Sequence, residues 1–374
     1  MAVLNRHNRN VGISIVVPIA GRIEYCLKLF ESFHCANMPK IPVEFILADN
    51  SINEAIANEL KSLAQQYQVI YLHTAPGIVC ARNEGAAYAK YQYLLYIDSD
   101  CTIDKNTLIE YANLINLSKP VCAAGKTIFV GKESVWWKGI NDMVYFFPFR
   151  WSEWTDLELT WAPTCNLLIR SDIFKEVGGF QSISKPREAS EDVDICLRII
   201  NAGYKISKCP TALVYHTTET WNSIKSIISH FYSFGAGQTE MLIRHGKYVR
   251  ALPTVTGLFW TILFPLVFCL CLKLWDAAIC LGLAIFINPI VFLLLQRIHS
   301  DSSVSMWNLF MHSVVEFFYE TGKLFRSLSH GRYFLLRNHV FSFEMVLGLW
   351  KKNIDEFITY SICIIIVFLY LCLK

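Results

Sequence analysis

Excess charge is what this 374-residue chain lacks most clearly: its formal net charge is only +3. A balance so near neutral offers no electrostatic footprint for a nucleic-acid partner. No CxxC pair occurs among the thirteen cysteines, their number is odd, and most lie in apolar runs. Zinc ribbons and disulfide frameworks are thereby disfavoured, and buried free thiols in a reducing compartment are expected. The polar stretch Met1 to Asn10 has none of the apolar core of a signal peptide, so residues 1–245 are expected to stay in the cytoplasm.

Apolar residues, by contrast, make up 53% of the chain, and the excess is concentrated after residue 250. The length fits one sizeable domain with extra segments, or two modest domains. In the first part, strand and helix signals alternate. Ile13 to Pro18 is a β-branched, uncharged strand, and Glu24 to His34 is helical. Val43 to Ala48 is a second strand ending at Asp49, and 53–66 has helical periodicity. Val69 to Leu72 is a third strand, 79–90 a helix, and Tyr93 to Ile97 a fourth strand ending at Asp98-Ser99-Asp100. Such alternation predicts an α/β fold with a parallel sheet and helices on both faces. Ligands of such sheets sit at the carboxyl ends of the strands, where Pro18, Asp49 and Asp98 fall.

Two acidic clusters carry possible chemistry. Asp98 and Asp100 end an apolar strand, where a pair of carboxylates suits a hard divalent cation. Such a cation neutralises charge developing on a leaving diphosphate; the same residues also suit a plain solvated turn. Glu191-Asp192-Val193-Asp194 opens an amphipathic helix. Acids there answer the helix dipole, and a carboxylate there can also serve as general base for a hydroxyl. The stretch 120–165 is rich in aromatics, Trp161 among them, which serve as acceptor surface or as packing.

Two uncharged runs, 253–272 and 277–295, and a third at 357–373 each reach a length that can span a bilayer. Basic flanks place the adjoining segments in the cytoplasm. The mixed aromatic and basic stretch 304–350 is expected along the membrane interface. The expected organisation is a catalytic domain over 1–245 and a membrane region over 246–374, in a multi-pass membrane protein with its catalytic domain cytoplasmic.

Taken in order, these motifs resemble family 2 glycosyltransferases across residues 13–216. Ile13 to Arg22 is similar to the family's opening strand, and Asp49-Asn50-Ser51 to its next acidic motif. Ala81-Arg82-Asn83-Glu84-Gly85 resembles its ARN-x-G helix start, and Asp98-Ser99-Asp100 its DxD. Asn166 with Arg170, then Val177-Gly178-Gly179-Phe180, resembles N-x-x-x-R…VGGF. Glu191-Asp192-x-Asp194 with Arg198 and Gly203 resembles ED-x-D-x-x-x-R…G, and Tyr215-His216 follows. The resemblance implies a GT-A (Rossmann-like) nucleotide-sugar-binding domain and an inverting, metal-dependent transferase using Mg2+ or Mn2+. It implies donor contacts at Pro18, Ala20, Asp49, Arg82 and Asp98, and metal contacts at Asp100, Asp98 and His216. Asp192 would be the base with Glu191 beside it, and Asn166, Trp161 and Asp194 would line the sugar or acceptor region. A histidine such as His216 serves equally in structural roles. The partners implied are a nucleotide-sugar donor and a membrane lipid, lipid-linked or membrane-proximal glycan or peptide acceptor. The Q-x-x-R-W motif of processive members is missing between residues 200 and 250, which points to addition of one or a few sugars. A processive polysaccharide synthase and a catalytically dead nucleotide-sugar scaffold are the alternatives.

Overall fold

The computed structural model describes residues 9–153, 158–183, 188–246, 248–250, 255–299, 305–332 and 338–340. The chain divides into two compact units. The first is Met1–Lys132 with Phe146–Glu219, the second Glu133–Tyr145 with Thr220–Lys374.

The first unit opens with β1 (Asn10–Ile19), α1 (Ile23–His34), β2 (Val43–Asp49), α2 (Glu54–Gln66), β3 (Ile70–His73), α3 (Ile78–Tyr88) and β4 (Tyr91–Tyr96). Then follow β5 (Cys101–Ile103), α4 (Thr107–Ser118) and β6 (Cys122–Val130); the short α5 (Val135–Lys138) belongs to the second unit. The first unit resumes with β7 (Leu167–Arg170), α6 (Ser171–Glu176), α7 (Glu191–Asn201) and β8 (Ile206–Thr217). Its eight strands form one sheet in the order β3-β2-β1-β4-β7-β6-β8-β5. Strands β1 to β4 are parallel, β7 runs against both its neighbours β4 and β6, and β5 runs against β8. The sheet is therefore mixed, not wholly parallel. Strand β7 is the reason: Leu167, Leu168 and Ile169 are fully buried, and an all-apolar run states that a strand is central without stating its direction.

Side chains alternate across the sheet with the period of two that a pleated strand imposes. Ile13, Ile15, Val17 and Ile19 join Leu29 and Phe30 of α1, Leu60 of α2 and Leu108 of α4 on one face. Val16, Ile46, Leu94 and Tyr96 join Val79 of α3, Phe174 of α6 and Ile195 and Ile199 of α7 on the other. Helix α2 starts where Asn53 accepts from the Ala55 and Ile56 amides, an ordinary N-cap. Helix α3 lies so close to β1 that a Cβ at Gly85 would stand 2.5 Å from Val16 Cγ1. No described cysteine is in a disulfide.

In the second unit, α8 (Ile224–His245), β9 (Tyr248–Arg250), α9 (Val255–Cys271), α10 (Trp275–His299), α11 (Met306–Ser329) and β10 (Asn338–Val340) follow in order. Helices α8 and α11 approach through a reciprocal pair of glycines. A Cβ at Gly235 would meet the Tyr319 carbonyl oxygen at 1.8 Å, and one at Gly322 the Tyr232 carbonyl oxygen at 2.0 Å. Beside them, Thr239 Oγ1 donates to the Lys323 carbonyl (3.1 Å), and Glu240 receives Arg326 and His330. Gly235→Ala is expected to cost at least about 3 kcal/mol, the upper range for overpacking, because the obstacle is backbone. Chemical denaturation checks this; an unchanged midpoint contradicts it.

The expected membrane spans are not met. Among the described residues, no helix is long and apolar enough to cross a membrane. Within the run 253–272, the described residues form the 17-residue α9, with Pro265 inside it. At 1.5 Å per residue it rises about 26 Å, short of the roughly 30 Å hydrocarbon core. The run 277–295 lies inside α10, whose 25 residues also take in Asp276, Gln296 and Arg297. The third run, 357–373, falls outside the described residues. Within 304–350, α11 buries Leu309, Met311, Val315, Glu320 and Lys323, so the stripe assigned to a membrane interface includes the face that packs on α8. The multi-pass placement is overturned by these findings.

Candidate active site

The site grows from the carboxyl ends of β1, β2 and β4 and the start of α7. Pro18 and Ile19 pair with Ala48 and Asp49, which sets the turns after β1 and β2 side by side. Gly21 N donates to Ser51 Oγ (2.9 Å) and ties them together. Ala20 is exposed at this edge. Asp49 is fully buried; its Oδ1 accepts from Ser51 N and its Oδ2 from the Tyr71 hydroxyl, each at 2.8 Å. Burial, then that bond to Asp49, pushes the Tyr71 phenol pKa well up, so Tyr71 stays a donor.

Arg82 organises the other side. It projects from α3, is 1% exposed, and its two terminal nitrogens grip different carboxylates. Nη1 bonds Glu191 Oε1 at 2.6 Å and Nη2 bonds Asp98 Oδ1 at 3.0 Å. The guanidinium lies 5.3 Å from the Phe180 ring centroid, within reach of cation–π attraction. Burial alone lowers its pKa, but Asp98 and then Glu191 more than reverse this. One buried cation thus joins the turn after β4 to the first turn of α7.

Asp192 stands next to that pair, half-buried, with Oδ1 accepting from Val193 N at 2.8 Å. Burial, then the negative charge of Glu191, pushes its carboxyl up to about 7. The residue before α7, Ser190, has φ 68, and Arg22 before α1 has φ 57. Left-handed backbone is costly for such residues, and strain of this kind gathers at functional sites. Asp194 is committed elsewhere: Arg198 grips its Oδ2 through Nε (2.9 Å) and Nη2 (2.7 Å) and donates to the Val177 carbonyl.

Asp100 is the second focus. Its Oδ2 meets Arg22 Nη1 at 3.0 Å and its Oδ1 faces His216 Nε2 at 3.5 Å. The register of β5 on β8 puts Cys101 opposite His216, so this meeting follows from strand pairing. His216 Nδ1 lies 2.8 Å from the Thr217 carbonyl oxygen. A carbonyl only accepts, so Nδ1 carries hydrogen and Nε2 is the nitrogen turned toward the carboxylate. An imidazole nitrogen and a carboxylate oxygen set face to face are a pair of donors that a cation can use. Asp100, Cys101 and His216 offer ligand atoms within 4.8 Å of one another. Burial holds the Cys101 pKa high, which keeps it a thiol and leaves oxygen and imidazole as the donors suited to a hard ion. Asp98 is turned to Arg82 instead.

Asn166 is 2% exposed, and its amide is spent on the fold. Nδ2 donates to the Lys126 and Ala212 carbonyls, and Oδ1 accepts from the Tyr111 hydroxyl at 2.7 Å. It stitches the register shift of β6 on β8 at Gly125/Lys126. Trp161 packs half-buried against the α3/α6/α7 face. Arg22 and Phe180 carry no assigned role in the sequence motifs: nothing local connects Arg22 to a carboxylate 78 positions away.

Residues 14–178 match the family model of glycosyl transferase family 2, so this stretch is similar to the domain of that family. The match runs from β1 to just past α6, and Asp192 and His216 lie beyond it. The chain is 22% identical over 244 residues to the pre-mycofactocin glycosyltransferase of Mycobacterium tuberculosis, covering 62% of this chain and 48% of that protein. It is 21% identical over 222 residues to the probable glycosyltransferase YdaM of Bacillus subtilis, covering 56% and 51%. The chain thus spans about half the length of these curated relatives. Among solved structures, S. aureus TarS 1–349 in complex with UDP-GlcNAc gives a TM-score of 0.43 at 18% identity, covering 62% of this chain and 67% of that one.

Proposed function

We propose that this protein transfers a sugar from a nucleotide-sugar donor to an acceptor hydroxyl with inversion, adding one or a few sugars. The observation that carries this reading is Arg82, which draws Asp98 and Glu191 onto one guanidinium and so brings Asp192 beside the acidic turn. A divalent cation, Mg2+ or Mn2+, held by Asp100 and His216 would supply positive charge for the departing diphosphate. Pro18, Ala20 and Asp49 frame the nucleotide end of the cleft. Trp161, Asn166 and Asp194 act through the wall of the sugar end; the last two are held by hydrogen bonds to their own neighbours.

Asp192 is the base in this reading. Glu191, the other carboxylate at that turn, has its Oε1 held by Arg82 and serves to position it. The acceptor proton passes to the Asp192 carboxylate, and the acceptor oxygen forms its bond to the anomeric carbon. The bond from that carbon to the diphosphate breaks with its electron pair, and nucleoside diphosphate leaves. A base with its pKa near the working pH is the efficient choice. Turnover is therefore expected to fall as pH drops through about 7 and Asp192 takes up a proton. Glu191→Gln removes the charge that raises that carboxyl and is expected to move this limb to lower pH; a limb that stays in place contradicts the coupling.

A panel of nucleotide sugars with Mg2+ or Mn2+ tests the reading. Release of nucleoside diphosphate from one donor, lost in Asp100→Asn, is expected. Folded protein that binds and cleaves no donor with any acceptor would sink it.

A further inference from the structure

We propose that Arg22 is a diphosphate-binding residue which, before cation and donor arrive, is parked on the metal ligand Asp100. This rests on the reading of Asp100 and His216 as the cation site. Each oxygen of Asp100 is faced by a different group: Oδ1 by His216 Nε2 at 3.5 Å, Oδ2 by Arg22 Nη1 at 3.0 Å. The Asp100 side chain is 9% exposed, whereas that of Arg22 is 48% exposed. The carboxylate is enclosed, whereas the guanidinium that covers it reaches solvent.

The backbone holds Arg22 at that position. Gly21 (φ 72) and Arg22 (φ 57) are consecutive left-handed residues, and α1 begins directly after them with no side-chain cap. The turn is pinned from below by the Gly21 N–H to Ser51 Oγ bond. Just beyond, the Tyr25 hydroxyl donates to Glu219 Oε2 at 2.6 Å and fastens the first turn of α1 to the segment after β8. The arginine therefore stands over the carboxylate on a fastened turn, with only its side chain at liberty.

A guanidinium suits a carboxylate and a diphosphate equally, through paired N–H donors. With a dication held by Asp100 and His216, a guanidinium on Oδ2 would be repelled and a diphosphate would be favoured beside it. The diphosphate then offers Arg22 a second anion at short range. Two consequences follow. Arg22 weakens binding of the bare cation, because it competes for the charge of Asp100. It strengthens binding of the cation together with a diphosphate, because it has moved onto the anion. Cation and diphosphate thus bind in a coupled manner.

The test is Mn2+ binding to the full chain by electron paramagnetic resonance, with and without inorganic pyrophosphate. Wild type, Arg22→Gln, Arg22→Lys and Asp100→Asn are compared. Arg22→Gln is expected to bind Mn2+ alone about tenfold more tightly, one elementary charge having left the ligand. It is expected to lose about tenfold in pyrophosphate affinity when Mn2+ is present, with Arg22→Lys intermediate. Equal Mn2+ affinity in Arg22→Gln and wild type, or pyrophosphate affinity unchanged by the substitution, overturns the proposal. If Mn2+ binding survives intact in Asp100→Asn, the cation-site reading itself fails. If Asp100→Asn abolishes it while Arg22→Gln behaves as wild type, only the role of Arg22 fails.

Discussion

Asp192→Asn is expected to lower turnover by a factor of about 10²–10⁴, the usual contribution of a positioned general base, with donor affinity unchanged. The substitution keeps an oxygen for the Val193 amide, which Asp192 Oδ1 now holds at 2.8 Å, so the first turn of α7 keeps its geometry. The stability change has the opposite sign. The fold raises the Asp192 carboxyl from 3.8 to about 7, so the folded state favours the protonated form. That contribution is fully present below the unfolded value and is lost as pH rises through about 7. At pH 8 the wild type holds an ionised Asp192 that the fold disfavours, and the neutral asparagine removes that cost. Asp192→Asn is thus expected to be at least as stable as wild type at pH 8 while being nearly inactive. Urea melts and single-turnover transfer on the same preparation check both halves. A variant that turns over at the wild-type rate removes Asp192 from the base role.

The second large effect belongs to Arg82→Met. The native guanidinium is 1% exposed and serves Asp98 and Glu191 together. Removing one partner of a buried ion pair leaves the other charge uncompensated, at a cost of about 3–5 kcal/mol. Glu191 is the carboxylate left in that state, since its side chain is 11% exposed against 28% for Asp98. Arg82→Lys is expected to rescue little, because an ammonium is a single point charge and cannot fork between two separate acids. Adding Glu191→Gln to Arg82→Met is expected to recover part of the loss. Denaturant titration of the single and double variants measures this. A loss under about 1 kcal/mol for Arg82→Met would place the pair among exposed ion pairs of small value.

Much of the first unit was legible in the sequence because its strands alternate with amphipathic helices, and period alone places them. Strands at Ile13 to Pro18 and Val43 to Ala48 and the helix at Glu24 to His34 recur within β1, β2 and α1. Strand direction was not legible, as β7 demonstrates. The motif order brought Arg82, Asp98, Glu191 and Asp192 to attention, but the fork of Arg82 onto two acids is a tertiary fact joining positions 16 and 109 residues away. Asn166 illustrates the converse. Its motif position suggested contact with a ligand, while its amide is occupied by two strand carbonyls and Tyr111. The first apolar run misled for a simpler reason: composition gave 20 uncharged residues at 253–272, whereas the described helix there, α9, has 17, fewer than a span needs.

The measurement that bears most directly on the account is the anomeric configuration of the sugar at first turnover. It is read by proton NMR on the donor identified in the nucleotide-sugar panel, with Asp192→Asn alongside. Single displacement with Asp192 as base predicts a product of inverted configuration, formed by the wild type and not by Asp192→Asn. A product that retains the donor's configuration would require a covalent enzyme nucleophile and would contradict the mechanism built on Arg82, Glu191 and Asp192.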